Sequence, residues 1–440
     1  MHEPAPLPEP AGLPARRAAL DILTLVRAGS SLDEALEKCR SFNALDGADR
    51  GLARLLATTV LRRQGGLDDL IGPYLDKPLP KRAAKAMDML RLAAAQTALL
   101  DTPDHAAVST AVALAKAFRE TEGYAGLVNA IARKIAKSGK AAMEKQPERI
   151  DTPGWLWRRW ERAYGPAKAR AIAAAHRAEA PLDLTPKRPE AAEALAESLG
   201  AELLPTGSLR LAEAGAVAAL PGYAEGLWWV QDAAAALPAK LLGDVAGKRV
   251  FDLCAAPGGK TMQLAAAGAD VVAVDIAGMR LKTIAENLQR TGLKAETVKA
   301  DILDWAPEEK ADAILLDAPC SATGTIRRHP DILRSRTEED AAGLVELQGK
   351  LIDKAAGLLK EGGILVYATC SLQPEEGERQ IEAALARNPR LERVAVEAAE
   401  IGGLSDAVTR DGDLRTLPSM QPARGGMDGF FAARLKLSGA

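Results

Sequence analysis

The stretch Val250-Phe251-Asp252-Leu253-Cys254-Ala255-Ala256-Pro257-Gly258-Gly259-Lys260-Thr261 decides the fold. A short apolar run, Val250–Leu253, reads as a buried strand. It passes through small residues and two glycines into a helical pattern over Met262–Ala267. Glycines in such a turn let the backbone approach a ligand, and the helix amino terminus favours polar or anionic groups. Gly259-Lys260-Thr261 invites comparison with the phosphate loop of nucleoside triphosphatases. That loop needs glycine five places before Gly259, where this chain has Cys254, so the comparison fails. The dinucleotide pattern G-x-G-x-x-G is also absent.

Downstream, the same strand–turn–helix rhythm repeats. Further strands are predicted at Val271–Val274, Glu296–Lys299, Ala313–Leu316 and Ile364–Tyr367, with a late strand in the 429–435 tail. Helices are predicted at Met279–Gln289, Glu338–Leu359 and Glu375–Ala386. This alternation calls for a mostly parallel, doubly wound α/β sheet, whose ligands gather at the carboxyl ends of the strands. Asp275, Asp301 and Asp317 stand at three of those ends. After the glycine turn they describe a nucleoside-binding crevice, Asp275 suited to ribose hydroxyls and Asp301 to an adenine amino group. Two of the four cysteines stand at strand ends as well, in Pro319-Cys320-Ser321 and Thr369-Cys370-Ser371. A thiol there is a candidate nucleophile, and two thiols suggest separate attack and release steps. Which of them attacks is open on the residues alone. Cys254 reads as a small residue of the glycine loop, and Cys39 as a core residue.

Upstream, residues 15–137 read as all-helical, after a flexible amino terminus at 1–14. Ala15, Ala18, Ala19, Ile22, Leu25 and Val26 recur at helical spacing. Ser31-Leu32-Asp33-Glu34 is a capping-box pattern. The amphipathic run Arg50–Arg63 is expected to stop at Gly65-Gly66, and Lys81–Leu100, a helix from about Ala106 and Gly123–Ile135 follow. Polar residues 138–153 read as a linker. Residues 154–235 read as a small α/β adaptor, and 236–440 as the sheet domain. Trp155, Trp157 and Trp160 read as helix-packing residues rather than a base-stacking surface. The chain carries a net charge of −2, yet Gly154–Pro189 holds eight Lys and Arg against three acids. That segment could meet phosphates, or simply form a solvated helix face. The 48% apolar content is that of a soluble globular protein. No stretch approaches the ~20 apolar residues of a membrane span, and the start lacks a signal-peptide pattern. No C-x-x-C pair occurs, so neither zinc nor a disulfide framework is expected. A reduced, cytoplasmic setting fits.

The segments DLCAAPGGKT at 252–261, DAPCSATGTIRRHPDI at 317–332, YATCSLQPEE at 367–376 and GMDGFFAARL at 426–435 closely resemble the Sun/Fmu family of RNA 5-methylcytosine methyltransferases. QDAAAALPAKLL at 231–242 resembles that family's lead-in helix. Met89–Ala93, Asp101–Pro103, Ala111–Lys116 and Leu127–Asn129 resemble the helical, RNA-binding NusB fold. The resemblance implies a class I methyltransferase with a Rossmann-like sheet behind a NusB-like domain. It further implies S-adenosyl-L-methionine as cofactor, small-subunit (16S) ribosomal RNA as partner, no metal, no membrane and a monomer. The cofactor would be held by Cys254, Ala255, Ala256, Pro257, Gly258, Gly259, Lys260, Asp275, Arg280, Asp301 and Asp317. Carried over from the family, Cys370 attacks, Cys320 assists release, and Lys260 lies near cofactor and base. The chemistry needs such thiols, because carbon 5 of cytosine is a poor nucleophile until a thiolate adds to carbon 6. A carboxyl group beside the thiol can serve ring N3, and Asp317, three residues before Cys320, is placed for it. The remaining readings are a vestigial methylase acting in ribosome assembly, a tRNA substrate, or a DNA or protein methyltransferase of this fold. Two stretches depart from the family pattern: Leu182–Lys187, and Pro418–Pro422 ahead of Gly425.

Overall fold

A computed structural model describes residues 12–212 and 215–439. The reading of 1–14 as a flexible amino terminus concerns mainly residues outside those described. The chain divides into two compact units. One takes the described residues through Arg158 with Ala169–Arg177 and Arg328–Ser335; the other takes Arg159–Lys168, Ala178–Arg327 and the described residues from Arg336 on.

The first unit is helical: α1 (Leu13–Arg27), α2 (Leu32–Lys38), α3 (Arg40–Asn43), α4 (Gly47–Arg62), α5 (Gln64–Ile71), α6 (Ala84–Ala98), α7 (Asp104–Ala117) and α8 (Ala125–Glu144). Ser31 accepts from the Glu34 amide at 3.2 Å, which caps α2 as the sequence predicts. Buried leucines and alanines of α1, α4, α6, α7 and α8, with Cys39, form one core. Two readings are corrected. Helix α4 does end at Arg62, as the amphipathic run predicts, but Gly65 and Gly66 are not its terminator and lie inside α5. A Cβ on Gly65 would stand 2.1 Å from Ile150 O, so glycine is required by close packing of the 146–151 segment. Residues 138–144 are not linker, because α8 continues and buries Ile135, Gly139 and Met143 at i, i+4, i+8 spacing. Asp151, in the second half of the expected linker, is buried, accepting from the Gly66 amide and Arg63.

Helix α9 (Gly154–His176) is broken at Gly165, whose φ of 80° precedes Pro166. Trp160 on it is fully buried, as expected of a packing residue. In the second unit, β1 (Leu182–Pro186), α10 (Ala192–Leu199), β2 (Glu202–Leu203), β3 (Leu209–Leu211) and β4 (Trp228–Val230) form a small antiparallel sheet of order β2-β3-β1-β4. Asp183, in one of the departing stretches, faces inward and forms a two-pronged ion pair with buried Arg210 at 2.7 and 2.6 Å.

The main sheet follows: α11 (Leu237–Lys240), β5 (Arg249–Leu253), α12 (Gly259–Ala266), β6 (Asp270–Asp275), α13 (Gly278–Thr291), β7 (Glu296–Lys299) and β8 (Ala311–Asp317). After α14 (Ile332–Ser335) of the first unit come α15 (Glu338–Leu358), β9 (Leu359–Thr369), α16 (Glu378–Arg387), β10 (Leu391–Arg393), β11 (Leu414–Arg415) and β12 (Phe431–Leu437). The order is β10-β12-β9-β8-β5-β6-β7. Strands β5 to β9 are parallel, and β12 runs antiparallel to β9.

Alternate residues of the central strands enter separate cores. Phe251, Leu253, Ile314, Leu316, Leu365 and Tyr367 pack with α15 and α16. Val250, Ala313, Leu315, Val366 and Ala368 pack with α11 and Leu264 of α12. Both faces are covered, which is why these strands read as continuous apolar runs rather than as alternating ones. Strand order reverses beside β5, which pairs with both β6 and β8. Its carboxyl end is therefore the topological switch point where such sheets bind ligands. Among the described residues, no helix is long and apolar enough to cross a membrane.

Candidate active site

The glycine turn leaves β5 with Cys254 at φ 60° and Gly258 at φ 99°, and α12 begins at Gly259. A Cβ on Gly258 would lie 3.1 Å from Ile284, so the loop is tight as well as left-handed there. Asp275, at the end of β6, is buried and accepts from the amides of Ala256 at 3.2 Å and Ala277 at 3.0 Å. Arg280 donates to Ala256 O at 2.8 Å and lies 3.8 Å from Asp275, bracing the turn from α13. Asp301, two residues beyond β7, is exposed and accepts from the Leu303 amide at 2.9 Å. Ile276 and Met279 are 62% and 80% exposed beside Asp275, an apolar pair the sequence reading missed.

Deeper in, Lys260 Nζ meets Asp317 Oδ2 at 2.6 Å and lies 5.3 Å from the centre of the Phe430 ring. Burial pulls the lysine's pKa down. The charge and hydrogen bond of Asp317, then Asp252 and Cys370, outweigh it, so the ammonium is held above its ordinary value. Beneath, Thr261 donates to Asp252 at 2.5 Å, and burial lifts that fully enclosed carboxyl to about 7 against this hydrogen bond. Burial, then the acids Asp317, Asp275 and Asp252, push the Cys254 thiol up, so it stays protonated.

The two strand-end cysteines converge. Cys320 Sγ and Cys370 Sγ are 3.4 Å apart, although 50 residues separate them in sequence. Adjacent parallel strands β8 and β9 place them: Asp317 pairs with Ala368, and the Ala318 amide donates to Ala368 O at 2.9 Å. Cys320 is raised well above an ordinary thiol by its hydrogen bond to Cys370, by burial, and by the charges of Cys370 and Glu376. Gly324 closes the turn after Cys320, its amide donating to Cys370 O at 2.9 Å. Sequence reasoning missed Phe430, Glu376 and Gln348 here; only the Pro374-Glu375-Glu376 step after the second thiol could have signalled one of them.

Such a site can hold a nucleoside-bearing ligand across the ends of β5, β6 and β7, with an ammonium–carboxylate pair and two thiols beside it just past the ends of β8 and β9. The acid-bearing strand ends, the left-handed glycine and the exposed Ile276–Met279 pair fit the carboxypropyl, ribose and adenine parts of S-adenosylmethionine. Among the described residues, no group of three or more His, Cys, Asp and Glu side chains is placed to hold a metal ion.

The family model described as 16S rRNA methyltransferase RsmB/F matches residues 239–436, and the NusB family model matches residues 13–137. A ribosomal RNA small subunit methyltransferase B from Pseudomonas putida is 39% identical, over 96% of this chain and 98% of its own. The protein of the same description from Salmonella newport is 36% identical, over 95% and 97%. The crystal structure of the protein PH0851 superposes with a TM-score of 0.74 over 99% of both chains at 22% identity, a likeness of fold. A methyltransferase homolog protein from Pyrococcus horikoshii gives a TM-score of 0.54 at 28% identity, over 64% of this chain and 93% of that one.

Proposed function

This chain belongs to the RsmB/F family of 16S rRNA methyltransferases, and from that premise we propose that it methylates carbon 5 of a cytosine in 16S ribosomal RNA through a covalent Cys370 adduct. It is an S-adenosylmethionine-dependent RNA methyltransferase; the substrate, the atom and the residue roles are the proposal. The observation that carries it is the 3.4 Å approach of the two thiols beside the Lys260–Asp317 pair.

Asp275 and the amides of the 254–259 turn would hold the cofactor's ribose and tail, Asp301 its adenine amino group, and Ile276 and Met279 the adenine face. Bound there, S-adenosylmethionine supplies an electrophilic methyl group. Cys370, as thiolate, adds to carbon 6 of the cytosine, which makes carbon 5 nucleophilic. Asp317 serves ring N3 as a proton-donating carboxyl group, its proton passing from the Lys260 ammonium across their 2.6 Å contact. After carbon 5 is methylated, a base removes its proton and Cys370 leaves by elimination, with Cys320 assisting release. The division of labour is supported by Cys320, which its hydrogen bond to Cys370, burial and the neighbouring charges hold as a thiol, unsuited to attack. The reading carries with it a monomer acting in the cytoplasm.

The test is tritium release from 16S rRNA carrying 5-tritiated cytosine. Release that depends on S-adenosylmethionine and disappears in Cys370→Ala is expected. Methyl incorporation without tritium release would place the methyl group on another atom.

A further inference from the structure

Glu376 is fully buried, yet among the described residues no basic side chain forms an ion pair with it within 4.0 Å. Its carboxylate is instead surrounded by donors. Oε1 accepts from the Ser321 amide at 2.8 Å and Gln348 Nε2 at 3.1 Å. Oε2 accepts from Ser321 Oγ and Ser371 Oγ, both at 2.5 Å. Those serines directly follow the two cysteines. Gln348 also donates to Pro319 O at 2.8 Å, on the other side of Cys320. The Glu376 backbone is fixed in turn, its carbonyl accepting from Tyr367 OH at 2.8 Å. A buried charge without an ion partner is costly unless its hydrogen bonds are complete, so this residue is an expensive way merely to fill space.

We infer that Glu376 is a positioning residue that clamps the two cysteine loops together and so sets the spacing and unequal character of the thiols, a role that rests on the two-thiol reading above. One carboxylate binds both loops, so its loss lets them part. Its negative charge also opposes ionisation of Cys320.

The full-length enzyme is treated with iodoacetamide between pH 6 and 10, and alkylation of Cys320 and Cys370 is followed separately by peptide mass spectrometry. Wild type is expected to react first at Cys370. Glu376→Gln, which keeps the size and removes the charge, should speed Cys320 alkylation at pH 8 by about tenfold. Glu376→Ala should slow single-turnover methyl transfer by about 10²-fold, with S-adenosylhomocysteine affinity by calorimetry unchanged. A purely structural role would lower the melting midpoint of both variants and leave the alkylation ratio of the thiols as in wild type. That ratio, seen in a Glu376→Gln protein that binds the cofactor, would overturn the inference. If Glu376→Ala does not fold, Glu376→Gln decides alone. If wild type shows no cytosine methylation, the two-thiol reading fails, while the alkylation ratio still decides what Glu376 does.

Discussion

Gly324→Ala puts the geometry of the site under a measurable load. Gly324 sits four residues after Cys320 with Gly429 packed against it, and a Cβ there would lie 1.9 Å from Gly429 O and 2.6 Å from Gly429 C. Real Cβ atoms keep at least 3.0 Å, so the chains must part by about 1.1 Å, and backbone rather than a flexible side chain must move. Two hydrogen bonds lie in the path. Gly324 N donates to Cys370 O and Gly429 N to Gly324 O, each at 2.9 Å. Overpacking costs about 1–3 kcal/mol, and the two hydrogen bonds contribute about 1 kcal/mol each. A displacement near 1 Å at the reacting groups lowers a rate by about 10²-fold, or about 2.7 kcal/mol of barrier. Unfolding of a chain of two compact units need not be two-state, so the assay is kinetic. Single-turnover transfer of labelled methyl groups to 16S rRNA should fall by that factor, with S-adenosylhomocysteine binding at the 254–261 loop retained. Wild-type single-turnover rates in Gly324→Ala would refute the claim that this contact holds the two thiols in register.

Further expectations follow from other parts of the structure. Asp275→Ala removes an acceptor shared by two loop amides and should weaken S-adenosylhomocysteine binding by about 1.5–3 kcal/mol, the range for hydrogen bonds to a charged group, measured by calorimetry. Arg210→Ala leaves Asp183 buried opposite a lost partner and should cost about 3–5 kcal/mol, visible as a lower urea midpoint. Burial raises the Asp413 carboxyl to about 7, with Arg393 opposing the shift. A raised folded-state pKa means stability is full below about pH 4 and is lost as pH rises towards 7. Asp413→Asn should therefore match wild type at pH 4 and exceed it at pH 8 in urea midpoint, and equal midpoints at pH 8 would contradict the burial argument.

Much of this molecule was legible because its core strands are covered on both faces. Ala313–Leu316 and Ile364–Tyr367 are continuous apolar runs for that reason, Val250–Leu253 is broken only by buried Asp252, and their ends carry the acids and thiols. What escaped depends on partners distant in sequence. Glu376 lies 55 residues from Ser321, and no local pattern states that its side chain turns inward. Gly65 and Gly66 read as a stop because glycine usually ends helices, whereas at Gly65 a crossing backbone demands the missing Cβ. The extension of α8 was hidden by polar residues on its outer face, although Ile135, Gly139 and Met143 keep the buried stripe. Asp183 stood out only as part of a stretch departing from the family pattern, and its partner Arg210, 27 residues on, makes it an internal ion-pair residue.

The most direct test of the account is the identity of the cysteine joined to RNA. Cys320→Ala incubated with 16S rRNA and S-adenosylmethionine, digested with protease and nuclease and read by mass spectrometry, should yield 5-methylcytidine linked to the peptide containing residue 370. The same adduct on the peptide containing residue 320 in Cys370→Ala, or full turnover by Cys370→Ala, would contradict it.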